Sequence, residues 1–335
     1  TLFNCLSSAK AQSANYPFCT IDAQQGQISV PDERLNKLAE LVKPGRIVPA
    51  TCDIVDIAGL VKGASQGEGL GNQFLGNIRE TDAIIHVLRC FDNDNIVHVD
   101  GSVDPVRDKE IIDTELQLKD LETIENRIKR VEKVAKVGGD KQAKLEYEVL
   151  LQYKATLEEG KSARTVTFET EDEQQAAKNL FLLTAKPVLY VCNVDEDGIK
   201  NGNSHIEAVK KIAAEENSQV VVICGKFEAE LCDVEDPEEK QEFLQELGLE
   251  ESGLASLAHA VYKLMGLRTF FTAGSDECRA WTIHSGDFAP KAAGVIHSDF
   301  ERGFIRAEIV SYDDLMECGS MTAAKEKGLV RSEGK

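Results

Sequence analysis

The sequence predicts an α/β fold: a doubly wound, mostly parallel sheet with helices on both faces, interrupted by an inserted antiparallel helical arm and followed by a small separate domain. Several short apolar runs end at polar or glycine residues and alternate with helix-like stretches, the pattern of a parallel sheet. A long charged segment carries apolar residues at alternating spacings of three and four, the seam of a coiled coil. After about residue 269 the composition shifts. The 335 residues, at roughly 150 per domain, call for more than one compact module. A hydrophobic content of 42% supplies real cores and excludes the disordered class.

Taken in chain order, Ile54-Val55-Asp56 ends a first strand and Ala83 to Phe91 makes another. The arm follows, its seam running through Leu121, Ile124, Ile128, Val131 and Ala135. Gly138-Gly139 breaks it, and Leu145, Val149, Leu150, Tyr153 and Leu157 mark a second helix folding back. The sheet resumes at Pro187 to Asn193 and again at Gln219 to Gly225, with a helix over Ser204 to Glu216 between them. Beyond residue 269, Trp281, Gly286, Pro290, Gly294 and Gly303 punctuate a stretch expected to be β-rich. In open parallel sheets ligands bind beyond the carboxyl ends of the strands, so Asp56, Asn193 and Gly225 stand where a ligand is expected.

The net charge of −20 argues against a surface that wraps DNA or lies on an anionic membrane. No apolar run reaches the ~18 residues a membrane span needs, and the first residues lack the pattern of a signal peptide. The nine cysteines are scattered with no C-x-x-C pair, which excludes a zinc ribbon and points to a reducing cytoplasm.

The chemistry concentrates in Asp56 to Asn72. A strand ending in D-x-x-G, here Asp56 to Gly59, is used by nucleotide-hydrolysing switch proteins: the Asp holds Mg²⁺ through its water shell and the Gly amide reaches the γ-phosphate. Alone it marks any strand-to-turn transition, but Gly63, Gly67, Gly69 and Gly71 add a backbone free to rearrange when a phosphate comes or goes. A second element, Asn193-Val-Asp-Glu196, stands where GTP-binding proteins carry N-K-x-D. Glu196 in place of Asp, and Val194 in place of Lys, weaken guanine selection; the alternative is a plain polar turn.

In these segments and several others the chain resembles the YchF family of Obg-related P-loop NTPases, the Obg-like ATPases. The matching segments are Thr1 to Asn4, Asn15 to Ile21, Asp56 to Asn72, Asn77 to Asp82, Asn95 to Val99, Gly138 to Lys141, Asn193 to Glu196, Phe270 to Gly274 and Arg279 to Thr282. The resemblance covers the full length. It implies a P-loop NTPase domain in two parts, 1–105 and 176–268, a helical arm at 106–175, and a C-terminally incomplete, ubiquitin-like TGS domain at 269–335. Of the family's phosphate loop, G-L-P-N-V-G-K-S-T, only the last residue stands here, as Thr1, so its Lys and Mg²⁺-binding Ser are expected before residue 1.

The resemblance also implies roles. Thr1 belongs to nucleotide binding, Thr20 and Asp56 to the Mg²⁺ shell, and Gly59 to sensing the γ-phosphate. Asn193, Val194 and Glu196 contact the base, framed by Cys224 and Gly225; Lys226 departs from the small apolar residue expected there. Leu60 stands where Ras-like enzymes place the glutamine that orients water, and leucine cannot, so hydrolysis should be slow. The family's candidate replacement is His98, which can orient or deprotonate water; the alternative for a lone loop histidine is a surface or capping residue.

Between Arg127 and Lys144 seven basic residues oppose two acidic ones, opposite in sign to the rest of the chain. Arg127, Lys129, Lys133 and Lys136 are therefore candidates for contact with RNA phosphates, against the alternative of a solvated face. The expected protein is a monomeric, cytoplasmic, Mg²⁺-dependent NTPase that takes ATP over GTP, associates with the ribosome or its RNA, and contacts neither sequence-specific DNA nor membrane. The competing expectation is a nucleotide-gated ribosome-binding module in which hydrolysis is incidental.

Overall fold

The computed structural model describes residues 2–6, 24–57, 70–96, 98, 101–137 and 140–334. In chain order the elements are α1 (Leu2–Leu6), β1 (Gln24–Val30), α2 (Glu33–Val42), β2 (Arg46–Val48), β3 (Ala50–Asp56), α3 (Leu70–Arg79), β4 (Ile84–Arg89), α4 (Pro105–Val137) and α5 (Lys141–Glu158). They continue through α6 (Glu171–Lys178), β5 (Val188–Asn193), α7 (Glu196–Asn201), α8 (Ser204–Glu215), β6 (Gln219–Ile223), α9 (Gly225–Asp233), α10 (Pro237–Glu246) and α11 (Gly253–Leu264). The chain ends with β7 (Leu267–Ala273), β8 (Glu277–His284), α12 (Ala289–Gly294), α13 (Ser298–Arg302), β9 (Arg306–Ile309), α14 (Tyr312–Cys318), α15 (Met321–Glu326) and β10 (Arg331–Gly334). Two compact units result: Thr1–Gly26 with Ile54–Ser256, and Gln27–Asp53 with Leu257–Lys335.

In the first unit β4, β5 and β6 form a parallel sheet, with Arg89 opposite Asn193 and Asn193 opposite Ile223. Central strand β5 is buried from Val188 to Cys192, as its unbroken apolar run requires of a parallel strand covered on both faces. Helix α8 packs Ile206, Val209 and Ala213 into the same core as Tyr190 and Cys192, and full burial of such a side chain is worth about 1.5–3 kcal/mol. Cys52, Cys90, Cys192, Cys224 and Cys278 are buried free thiols, behaving as small hydrophobes.

Helix α4 belongs to this core before it becomes part of the arm. Leu116 packs with Leu75, Ile78 and Leu183. Buried Lys109 bonds Asp113 at 2.8 Å and also Glu216, whose other oxygen accepts from the Tyr190 hydroxyl at 2.6 Å. Burial pushes the Glu216 carboxyl up, but the hydrogen bonds from Lys109 and Tyr190 outweigh it and leave it below its ordinary range. Asp120, fully buried, accepts from the Leu183 amide at 2.8 Å and from the Thr184 amide and hydroxyl at 2.7 Å each. These bonds give a desolvated carboxylate the partners it needs. Farther along, Ile124 meets Val149, Leu150, Tyr153 and Leu157 of α5. The ion pairs Lys154–Glu125 and Arg127–Glu146 set the two helices antiparallel. Gly138 and Gly139, the expected turn, lie outside the described residues.

The second unit holds a three-stranded sheet in the order β2-β8-β7, with β2 parallel and β7 antiparallel to β8. The division implied by sequence kept all of 1–105 in one domain. Gln27–Asp53 instead falls with the C-terminal residues, because Arg46–Val48 pairs with Glu277–Arg279 and Arg46 meets Glu277 as an ion pair. The stretch expected to be β-rich also carries four helices, α12 to α15. Ser311 and Ser320 start two of them by capping the amides of Asp314 and Ala323.

Candidate active site

The register of β4, β5 and β6 brings their carboxyl ends to one edge. There Cys90 donates its amide to the Asn193 carbonyl at 2.8 Å, and Val194 donates to the Ile223 carbonyl at 2.8 Å. Asn193 turns its Oδ1 to the Gly225 amide at 3.0 Å. A Cβ at Gly225 would stand 3.1 Å from that oxygen and 3.5 Å from Leu2, so glycine is what allows the close approach. Cys224, 1% exposed, stands at the N-cap of α9, its thiol pushed up by burial. Asn193, Val194, Cys224 and Gly225 are thus brought together as a rigid ledge.

Val194 is only 3% exposed, so its side chain is core, and any contact it makes with a ligand is through its backbone. Asp195 caps α7 by accepting from the Gly198 amide at 2.8 Å, which puts Glu196 in the first helical turn. Glu196 pairs with Lys226 at 2.8 Å. That hydrogen-bonded ammonium holds its carboxyl below the ordinary range.

Asp56 is the last residue of β3 and half-buried. Mg²⁺ takes one or two carboxylates plus phosphate oxygens and water rather than an all-protein cage. A single strand-end carboxylate such as Asp56 fits that donor set, and among the described residues no three His, Cys, Asp or Glu converge. Thr1, Thr20, Gly59 and Leu60 lie outside the described residues.

His98 sits in the connection between β4 and α4. One side of that connection is held by Arg89, which donates to the carbonyls of Phe91 at 3.2 Å, Ile96 at 3.0 Å and Asn93 at 3.1 Å. Its guanidinium also stacks 4.9 Å from the Phe91 ring centroid. On the other side His98 Nε2 meets Asp108 Oδ2 at 2.9 Å. Sequence reasoning missed Arg89 and Asp108, and saw Lys226 only as a departure. The signal for Asp108 was its place one turn after Pro105, at a helix start four residues beyond Asp104.

On the arm, Arg127 and Lys136 are paired with Glu146 and Glu132. Among the described residues no ion pair is seen for Lys129, Arg130 or Lys133. The basic charge that no such pair takes up therefore lies on these three.

A family model described as "50S ribosome-binding GTPase" matches residues 1–135, and one for the C-terminal part of YchF GTPases, described as a protein of unknown function, matches residues 267–335. The "Ribosome-binding ATPase YchF" of Bacillus subtilis is 56% identical over 337 aligned residues, covering 100% of this chain and 91% of that protein. The protein of the same name from Escherichia coli O157:H7 is 54% identical, again covering 100% and 91%. The "Obg-like ATPase 1" of Caenorhabditis elegans is 44% identical and covers 100% and 85%. A solved structure titled as the Schizosaccharomyces pombe YchF GTPase superposes with a TM-score of 0.85 at 37% identity, covering 100% of this chain and 90% of that one. The fold is that of a P-loop GTPase. The chain belongs to the YchF family.

Proposed function

We propose that this protein is a ribosome-associated, Mg²⁺-dependent P-loop ATPase that hydrolyses slowly, accepts GTP less well, and acts in the cytoplasm as a monomeric regulatory switch in translation or stress response. The observation that carries the reading is the shared edge of β4, β5 and β6. It sets the base-side ledge at Asn193 and Gly225 and is continuous, through Arg89, with the connection bearing His98, in a chain closely similar to named ribosome-binding ATPases.

Each group has a task in this reading. Asn193, the Val194 backbone and the Cys224-Gly225 turn hold the base. Glu196, already engaged by Lys226, is a poor acceptor for the two donors of guanine, which favours ATP. Asp56 and Thr20 would hold Mg²⁺, which supplies charge neutralisation at the phosphates. His98 orients the attacking water that Leu60 cannot. Residues 106–175 form the coiled-coil arm and 269–335 the TGS domain, with the NTPase domain in the remainder of the unit made of Thr1–Gly26 and Ile54–Ser256. Arg127, Lys129, Lys133 and Lys136 face ribosomal RNA. The second reading, a nucleotide-gated module with incidental hydrolysis, is favoured by Leu60 alone.

Turnover of ATP and GTP by the full-length protein with and without ribosomes tests this: strong stimulation of ATP turnover is expected, and none would leave the gated module. Reversing Arg127, Lys129, Lys133 and Lys136 to Glu should weaken co-sedimentation with ribosomes and flatten its salt dependence. If the variant sediments like the parent, the arm is not the contact.

A further inference from the structure

The carboxylate beside His98 is itself held in place. Asp108 Oδ2 meets His98 Nε2 at 2.9 Å, while Oδ1 accepts from Arg107 at 3.0 and 3.3 Å. Arg107 reaches on to the Ser102 carbonyl at 2.7 Å and hydroxyl at 3.0 Å, so the carboxylate is fixed from behind by the connection it faces. The His98 and Asp108 side chains are 16% and 21% exposed, sheltered enough for a hydrogen bond to hold its geometry. Asp108 is not spent on starting its helix, because Asp104 already accepts from the Val106 and Arg107 amides at 3.1 Å each.

We propose that Asp108 is the positioning residue for His98: it accepts the Nε2 proton and so fixes the tautomer and the orientation of the ring. A hydrogen bond at one imidazole nitrogen decides the protonation of the other, and a base oriented by a third group is the general logic of an activated site. The inference rests on the reading of His98 as the water-orienting group and adds to it the residue through which the root of the arm acts on hydrolysis. Arg107 holds Asp108, and Arg89 holds the far side of the same connection.

The test is a mutant cycle in the full-length protein, reading kcat, nucleotide affinity and urea unfolding for His98→Ala, Asp108→Ala, Asp108→Asn and the His98→Ala/Asp108→Ala double variant. Asp108→Ala should lower kcat about tenfold with affinity for ATP unchanged. Asp108→Asn, which keeps an acceptor oxygen, should retain most of the rate. The double variant should be no slower than His98→Ala alone, since a residue acting through His98 has nothing left to act on. A double variant slower by the full Asp108 factor, or Asp108→Ala at the parental rate beside a slow His98→Ala, overturns the inference and leaves His98 its role. His98→Ala at the parental rate overturns both. Nitrogen-15 spectra of the histidines in the unmutated protein give a readout that needs no variant to fold: the His98 proton is expected on Nε2, and a proton on Nδ1 overturns the assignment.

Discussion

The base-side ledge and the His98 connection sit at the same sheet edge and are held by different means. The ledge is made of strand ends: the Cys90 and Val194 amides pair with carbonyls of neighbouring strands at 2.8 Å, and Val194 and Cys224 are at most 3% exposed. The connection is held by side chains, chiefly the Arg89 fork and the Asp108 carboxylate. Backbone pairing in a buried sheet opens only with the unit as a whole, whereas side-chain bonds worth about 1–3 kcal/mol each re-form one at a time. With the roles proposed above, affinity for nucleotide and rate of hydrolysis are expected to be separable by mutation.

That separation fails first if the ledge is wedged open. Gly225→Val puts a branched side chain where even a Cβ stands 3.1 Å from Asn193 Oδ1. It should cost about 2 kcal/mol of unfolding free energy and weaken ATP binding; an unchanged urea midpoint would show that the ledge gives way easily. Arg89→Ala sharpens the contrast from the other side. Losing its three carbonyl contacts should lower kcat roughly tenfold while ATP affinity moves less than about twofold. Equal losses in both would merge the two regions into one.

Base choice gives smaller effects. Because Val194 is core, installing the Lys of the GTP-binding motif there would disturb the ledge, and the cleaner variant is Glu196→Asp with Lys226→Ala. It should shift the ratio of GTP to ATP affinity toward GTP about fivefold, measured by calorimetry, and a shift toward ATP would refute the role given to the ion pair. Lys226→Ala alone, breaking an exposed pair, should move that ratio no more than about twofold.

The legible parts of the fold were those whose pattern is local. The runs at Pro187 to Asn193 and Gln219 to Gly225 became β5 and β6, and Ala83 to Phe91 became β4, because parallel strands, buried in β5 and partly so in β4 and β6, are written as short apolar blocks. Strand β1, Gln24–Val30, went unseen: its sequence is largely polar and only Ile28 and Val30 are buried. The seam from Leu121 to Ala135 was plain from spacing, whereas the start of the arm near 106 came only from the resemblance, since Lys109, Glu115 and Asp120 are buried polar residues that break the amphipathic pattern; Lys109 reaches Glu216 and Asp120 reaches Leu183 and Thr184. At the candidate site, Asn193 and Gly225 were singled out by motif and strand end, and the structure places them in contact. Asp108 and Arg89 were not, because their roles depend on where the connection from Phe91 to Asp104 turns, and the Glu196–Lys226 pair joins residues 30 apart in sequence.

Helix α4 runs 33 residues, about 50 Å at 1.5 Å per residue, and from Val106 to Val137 it contains neither glycine nor proline. It is a lever without a joint, since sharp kinks arise at those residues or at inserted bulges. Asp120, clamped to Leu183 and Thr184, is its fulcrum. Lys133 and Asp108 therefore stand on one uninterrupted helix, with no residue between them at which a sharp kink would turn the basic end independently of the Asp108 end.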